Sequence, residues 1–213
     1  MTPYHDAIRA HVEQYAGAIS QTWHEAEALD ILVVAANDAH PFHTLVTAGL
    51  SDHPMNAPKD EWKRAELCFL LPPSWSLERD TWGEGDAWPL KWLVYLARMP
   101  RWKNTWLGYG HTVPNGEPPQ PVDDSTAACS VMLIPPVSLP ERFARLRVDE
   151  TDAGIINFWA LVPLMPDELD LKLEKGTPTL LEKMANRKLS DIWKPSRRSV
   201  LARRGVARWA LGE

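Results

Sequence analysis

Residues 31–50 read ILVVAANDAHPFHTLVTAGL and indicate the beginning of a β-sheet. The run at residues 31–36 is continuously apolar and rich in β-branched side chains, which predicts a buried strand. Residues 42–50 predict a second strand, and the Asn37-Asp38-Ala39-His40-Pro41 segment between them predicts a turn. A connection this short favours antiparallel neighbours.

Three later segments predict further strands, and a proline follows each of them. They are residues 65–71 before Pro72, residues 131–134 before Pro135, and residues 155–162 before Pro163. Proline has no backbone N–H for the next hydrogen bond of a ladder, so we expect each strand to end there.

Apolar residues spaced by three and four predict four helices. They span residues 6 to about 23, 88–99, 166–174 and 177–187. Strands grouped early and helices interleaved irregularly are typical of α+β proteins rather than of a regular βαβ series. The predicted fold is α+β: a mixed, largely antiparallel β-sheet packed with helices in a single domain.

Charge is distributed unevenly along the 213 residues. Residues 187–213 hold eight Lys/Arg and two Asp/Glu, which leaves 15 basic and 26 acidic side chains in residues 1–186. An acidic body is a poor nucleic-acid binder, because phosphate contacts need a basic face. It suits a protein partner with a basic surface, although acidic charge can also serve solubility alone.

The cysteines and the hydropathy pattern favour a cytoplasmic protein. Cys68 and Cys129 both lie in apolar, strand-like runs, which predicts buried free thiols and a reducing compartment. No apolar run approaches the roughly 18–20 residues that span a bilayer, and the N-terminus does not resemble a secretion signal. We therefore expect no membrane partner.

Motifs for catalysis or cofactor binding are absent from the sequence. No Cys-x-x-Cys or His-Glu-x-x-His pattern supports a metal site, and no Gly-x-Ser-x-Gly elbow supports a nucleophile. Residues 83–86 lack the lysine of a phosphate-binding loop, and their acids would repel phosphate. Asp and Glu are plentiful enough for a carboxylate pair acting on a sugar, but no spacing selects one. We expect no metal, no cofactor and no catalytic residue.

Aromatic side chains in loops are the strongest functional signal. Residues 105–116 read TWLGYGHTVPNG and combine two large rings, a histidine and three glycines. Five of the eleven tryptophans lie in polar or proline-rich surroundings: Trp62, Trp75, Trp82, Trp102 and Trp106. Tryptophan and tyrosine at surfaces are typical interface anchors, although such rings also cover the core beneath loops. Residues 72–87 and 112–128 form loops long enough to be binding surfaces.

An ordered set of short motifs resembles the suppressor-of-fused domain family over about residues 28–185. The motifs are GLSDHPM at residues 49–55, RAEL at 64–67, LLPPSW at 70–75, WPLKWL at 88–93, LGYGHTVPNG at 107–116, VMLIPP at 131–136, INF at 156–158, VPL at 162–164, EL at 168–169 and KLEKG at 172–176. This resemblance implies a mixed α/β domain used for protein binding, with no catalytic residues. Bacterial single-domain relatives further suggest an immunity protein that binds and neutralises a toxin.

The resulting prediction is a non-enzymatic, cytoplasmic protein-binding domain, plausible as a bacterial immunity protein. Its domain organisation is an N-terminal helix at residues 1–27, a suppressor-of-fused-like domain at 28–186 and a basic C-terminal extension at 187–213. No oligomeric state is predicted. The candidate partner-binding residues are Asp52, His53, Trp82, Trp106, Tyr109 and His111.

Two alternative functions and three fates of the basic extension stay open at this point. The chain could be a hydrolase with His111 as general base and Asp52 as its orienting carboxylate. It could instead be a scaffold that self-associates through its tryptophan-bearing loops. Residues 194–209 could form a basic helix docked on the acidic body, a mobile tail, or a segment that binds nucleic acid or membrane.

Overall fold

The computed structural model describes residues 4–82 and 86–202, and it contains one mixed sheet with helices on both faces. Most of the GEGD segment at residues 83–86 and the end of the basic extension lie outside these ranges. The helices are α1 (His5–Tyr15), α2 (Trp88–Lys103), α3 (Pro166–Lys175) and α4 (Thr177–Asn186). The strands are β1 (Ile19–Glu25), β2 (Leu29–Val34), β3 (His43–Ala48), β4 (Ala65–Leu71), β5 (Thr112–Pro114), β6 (Ser130–Ile134), β7 (Arg145–Arg147) and β8 (Ile155–Leu164).

The sheet runs in the order β1-β2-β3-β4-β8-β6-β5, with β7 paired beside β8. Every pairing is antiparallel except that of β4 with β8, where Ala65 lies opposite Asn157 in a parallel register. This confirms the predicted α+β fold and its largely antiparallel sheet. No helix in the described ranges is long and apolar enough to cross a membrane.

Both faces of the sheet are buried, which explains the continuous apolar runs that predicted its strands. On β2, Ile31 and Val33 join the core beneath α2, and the alternating residues Leu32 and Val34 join the core beneath α1. The α2 core is rich in indole rings, and the opposite core also takes in α4. The sheet is thus the middle layer of three.

The predicted first helix is wrong beyond Tyr15, and two short strands were not predicted. Gly17 interrupts the helix with a φ of +122°, and the following residues enter β1, where Trp23 lies opposite Ile31. The missed strands β5 and β7 have three residues each, too few for a visible period of two. Helix α2 also continues through Pro100, beyond its predicted end, and stops at Asn104 in a left-handed conformation.

A fully buried carboxylate in β4 connects two strands to the loop that follows β3. Glu66 accepts hydrogen bonds from the Thr47 hydroxyl at 2.6 Å, the Ser51 hydroxyl at 2.6 Å, and the backbone N–H groups of Gly49 and Ser51 at 3.1 and 3.0 Å. Burial raises the pKa of Glu66 to about 7, and these donors oppose that rise. The network holds residues 49–51 against the sheet.

Gly49 is required at this turn by both conformation and space. Its φ is +132°, a region that other residues rarely adopt. A Cβ at this position would lie 2.7 Å from the backbone oxygen of Ala28 in the β1–β2 turn. The loop after β3 therefore passes directly against that turn.

The described part of the basic extension, residues 187–202, is docked on the body. The backbone N–H of Trp193 donates to the backbone oxygen of Leu70 in β4 at 2.9 Å, and the Trp193 ring packs edge-on against Trp88. The Arg197 guanidinium donates to both carboxylate oxygens of Glu168, at 2.7 and 2.6 Å. No helix forms between residues 194 and 202, so docking occurs in an irregular conformation.

Replacing Arg197 by alanine is expected to lower the free energy of unfolding by about 3–5 kcal/mol. The Arg197 side chain is only 4% exposed and Glu168 is fully buried, so the variant leaves a buried carboxylate without its counter-charge. Urea denaturation at neutral pH measures the loss. The exposed neighbour gives the control, since Arg198→Ala should change stability by less than about 0.5 kcal/mol. Equal effects of the two substitutions would contradict the buried pair.

Replacing Glu66 by glutamine is expected to remove a pH dependence of stability. The pKa of Glu66 is about 7 in the folded protein against an ordinary 4.5, so the folded state holds this proton more tightly. Its stabilising contribution is therefore complete below pH 4.5 and is lost as the pH rises through 7. Relative to wild type, Glu66→Gln should gain up to about 3 kcal/mol across this window. Denaturant titrations at pH 4.5, 6 and 8 test this, with the exposed Glu141→Gln as control; parallel wild-type and Glu66→Gln profiles would refute it.

Candidate protein-binding surface

The loop after β3 and the loop after α2 meet to form one surface, here called the loop ledge (residues 50–63 and 104–111). The backbone N–H of Asn56 donates to the backbone oxygen of Thr105 at 3.2 Å, and the side-chain amide of Asn56 donates to the backbone oxygen of Asn104 at 3.2 Å. The Leu107 N–H donates to the Met55 sulfur at 3.4 Å. Residues far apart in sequence thus become one continuous surface.

The ledge is attached to the body at both of its ends. The Glu66 network holds its start through Ser51, whose backbone oxygen also accepts from the Arg64 guanidinium. Met55 and Leu107 anchor its middle because their side chains are buried in the core beneath α2. Loops held in this way present side chains without paying ordering entropy at the moment of binding.

Three rings form a stack at the centre of the ledge. The Trp62 and Trp106 rings are nearly parallel, with centroids 5.4 Å apart and an interplanar angle of 5°. The His111 ring packs edge-on against Trp106 with a centroid distance of 4.3 Å. The Lys59 ammonium lies 4.5 Å from the Trp62 centroid. All three rings are half-buried, so the stack supports the ledge and remains accessible at its surface.

The surroundings of His111 favour its neutral form. Burial lowers the pKa of its imidazole; a hydrogen bond to the Trp106 backbone raises that pKa, and the nearby charge of Lys172 lowers it further. Lys172 is itself fixed by a 2.9 Å hydrogen bond to the Thr112 hydroxyl. The edge-on contact with Trp106 fixes the histidine ring within the stack.

A cleft of about 420 Å³ lies beside the ledge; His53 lines it, and Asp52 ends the short helical turn just before His53. His53 is exposed and lines the cleft together with Met55, Lys63, Arg98 and Arg101. The Glu27 carboxylate faces Arg101 at 3.6 Å and Arg98 at 4.0 Å. The cleft therefore brings the β1–β2 turn, the ledge and the end of α2 together.

Tyr109 belongs to the ledge, whereas Trp82 belongs to a neighbouring groove. The Tyr109 side chain is 51% exposed. Trp82 packs edge-on against Trp23 of β1, and its indole N–H donates to the Ser76 oxygen at 2.7 Å. It lines a groove on the outer side of α2. The structure thus places Trp106 and His111 in contact, Asp52, His53 and Tyr109 on the same ledge, and Trp82 apart from them.

The sequence prediction omitted Trp62 and Lys59 from the candidate site. The motif EWKR at residues 61–64 places cations beside the Trp62 ring, and this was the available signal. The cation over the ring is nevertheless Lys59, while Lys63 pairs with Asp60 at 2.6 Å. Arg64 lies instead over the Tyr4 ring, 4.8 Å from its centroid.

No cluster of three or more His, Cys, Asp or Glu side chains in residues 4–82 and 86–202 is arranged to hold a metal ion. What the ledge offers chemically is ring faces, hydrogen-bonding groups and a few charges on a preorganised backbone. These are the components of a recognition surface.

Comparisons with solved structures show the same fold in several proteins. A proposed suppressor of fused homologue from Neisseria gonorrhoeae FA 1090 matches with a TM-score of 0.66 and 13% identity, covering 94% of this chain and 98% of its own. A structure of a Sufu–Fu complex matches with a TM-score of 0.64 and 14% identity, covering 93% and 92%. Drosophila Suppressor of Fused matches with a TM-score of 0.54 and 15% identity, covering 81% of this chain and 42% of its own.

Sequence comparison identifies the family directly. No curated protein matches the chain significantly. The sequence profile of the family described as Suppressor of fused protein (SUFU), however, matches residues 25–198. This confirms the resemblance noted for about residues 28–185. Because the profile covers most of its 213 residues, the protein belongs to the suppressor of fused family.

Proposed function

We propose that this chain is a non-enzymatic protein-binding domain and that it acts as an immunity protein, binding and neutralising a toxin in the bacterial cytoplasm. The loop ledge is its proposed contact surface. The observation that carries the proposal is that the ledge combines a backbone held in place by hydrogen bonds with accessible aromatic side chains. Trp106 and Tyr109 are of the residue types that dominate binding energy at protein interfaces.

Family membership supports the protein-binding part of this proposal. One of the similar structures is that of a complex between Sufu and Fu, so a protein with this fold binds another protein. The ledge lies within the residues that the family profile matches.

Charge supports the kind of partner proposed. Residues 1–186 carry 26 acidic and 15 basic side chains, and on the ledge itself Asp52, Asp60 and Glu61 outnumber Lys59 and Lys63. An acidic field accelerates encounter with a basic toxin surface and disfavours acidic competitors.

The cysteines support a reducing compartment. Cys68 and Cys129 are free and buried, and burial raises the pKa of both thiols, so they stay protonated and unreactive. Free thiols of this kind are typical of proteins in the reducing cytoplasm.

Tyr109 and His53 are the residues to test first, since both are exposed and neither supports the core. We expect the wild-type chain to restore growth to cells that express a toxin encoded by the adjacent gene, and to bind that toxin in a one-to-one complex. The double variant His53→Ala/Tyr109→Ala should bind about tenfold more weakly or worse and protect less. Calorimetry and growth curves give the two readouts.

The matched control is Val137→Ala, which removes an apolar side chain that is 65% exposed outside the ledge. It should bind and protect like wild type. An equal loss in the control, or a wild-type chain that neither binds nor protects against neighbouring toxins, would contradict the proposal.

Salt should slow the association if the acidic body steers a basic toxin. Raising the ionic strength from 50 to 300 mM shortens the range of the interaction, so the association rate should fall about tenfold while dissociation changes less. Stopped-flow mixing measures both rates. An association rate that does not depend on salt would refute the basic partner while leaving protein binding itself intact.

A further inference from the structure

The sheet has three open edges among the described residues: β1 at one end, β5 at the other, and β7 beside β8. Open edges invite pairing with other chains, and proteins usually protect them by keeping them short or by placing proline or charged side chains there. Strands β5 and β7 are protected in this way. Each has three residues; β5 ends with Pro114, and β7 has an arginine at each end, Arg145 and Arg147.

Strand β1 lacks this protection. It has seven residues, reads ISQTWHE, and contains no proline, lysine or arginine. No backbone hydrogen bond joins it to any described residue outside β2. A register shift between Ile19 and Gln21 disturbs only its beginning, so residues 21–25 pair regularly with β2. This regular part of the edge is therefore free to accept another strand.

Contacts on both faces of the sheet hold this edge in place. On one face, the Arg79 guanidinium pairs with Glu25 at 3.0 Å and lies 5.3 Å from the centroid of the Trp23 ring. On the other face, the His24 imidazole is joined to the Asp30 carboxylate at 2.7 Å. An edge fixed in this way needs little ordering when a strand is added to it, which favours pairing.

The order of side chains in β1 makes its edge complementary to itself. When two β1 strands pair antiparallel about a two-fold axis at Trp23, Gln21 lies opposite Glu25 of the second copy, and Thr22 lies opposite its His24. An amide then faces a carboxylate and a hydroxyl faces an imidazole, so each pair can form hydrogen bonds. No like charges meet within these pairs.

Charges near the edge fit the same arrangement on β1 but not on β7. An antiparallel pair of β7 strands about Leu146 would place Arg145 opposite Arg147 of the second copy, and like charges in that position are destabilising. Beside β1, Arg9 of α1 donates to the Thr22 hydroxyl at 3.1 Å. The axis at Trp23 brings this arginine towards the second copy's Asp30, so its charge meets a carboxylate.

We propose that β1 is a dimerisation surface whose partner is a second copy of this chain. The two β1 strands pair antiparallel about Trp23 and join the two sheets into one continuous sheet. The contact is isologous, so the dimer closes on itself and leaves no β1 edge open to further copies. The loop ledge is not part of this interface. Because the paired segment is short and the interface small, the dimer should dissociate on dilution.

Sedimentation velocity of the full-length chain over about 1–300 µM tests the proposal. Wild type should change from monomer to dimer as the concentration rises. Gln21→Glu should weaken the dimer at least about tenfold, because two acids then face each other and the pair occurs twice. The new carboxylate still accepts from the Trp23 indole N–H, as Gln21 does at 2.9 Å. Adding Glu25→Gln to this variant should restore the dimer, since an acid again faces an amide.

Gln120→Glu is the matched control. It makes the same charge change at an exposed position in the loop after β5, which is the strand at the other end of the sheet. This control should dimerise like wild type. Hydrogen exchange locates the interface, since the amides of β1 should exchange more slowly at high concentration than at low, while those of β5 and β7 do not change. A thermal melt checks that each variant is folded.

Three results would overturn the proposal. One is a wild-type chain that stays monomeric over the whole range, which would leave the β1 edge to a strand of another protein. Another is a dimer of equal stability in wild type and Gln21→Glu. The third is a Gln21→Glu/Glu25→Gln variant that dimerises no better than Gln21→Glu alone, since the strands would then not be paired about Trp23. None of these measurements involves a toxin, so their outcome is independent of the function proposed for the loop ledge.

Discussion

The Glu66 carboxylate lies where strand, strand and loop meet, and the geometry of the loop ledge depends on it. A buried acid in the middle of a sheet carries a large desolvation penalty unless donors surround it. Here the donors come from Thr47 on the adjacent strand and from Gly49 and Ser51 in the loop, so the loop must take one conformation to supply them. The buried acid thereby specifies a loop that hydrophobic contacts alone would leave free to shift.

The same device recurs at the other end of the chain. Glu168, buried at the start of α3, receives the Arg197 guanidinium and the backbone N–H groups of Met165 and Val200. It fastens an irregular segment to the body, as Glu66 fastens a loop. Buried ion pairs add little net stability compared with apolar packing, but they discriminate strongly against any other arrangement of their partners. In this protein, two buried carboxylates fix the conformations of a loop and of an irregular segment, which the apolar core does not fix.

The sequence predicted the strands that are buried on both faces and missed those that are partly exposed to solvent. Strands β2, β3, β4, β6 and β8 could be recognised because both of their faces are covered and their runs are mostly apolar. Strand β1 is an edge strand in which only Trp23 is buried, and its Ile19 continued the helical spacing of α1. The ring stack could not be predicted, because Trp106 meets Trp62 only when two distant loops join.

The parallel pairing of β4 with β8 affects how the nascent chain folds during synthesis. Ala65 and its partner Asn157 are far apart in the sequence, so β4 leaves the ribosome well before the strand that covers its edge. The hairpins of β1, β2 and β3 can form from local contacts. The free edge of β4 stays unpaired until β8 has been made, and closing the long loop between β4 and β8 is slow. Until β8 arrives, an apolar strand edge is open to pairing with other chains. Nascent chains of this protein are therefore the form most in need of a chaperone.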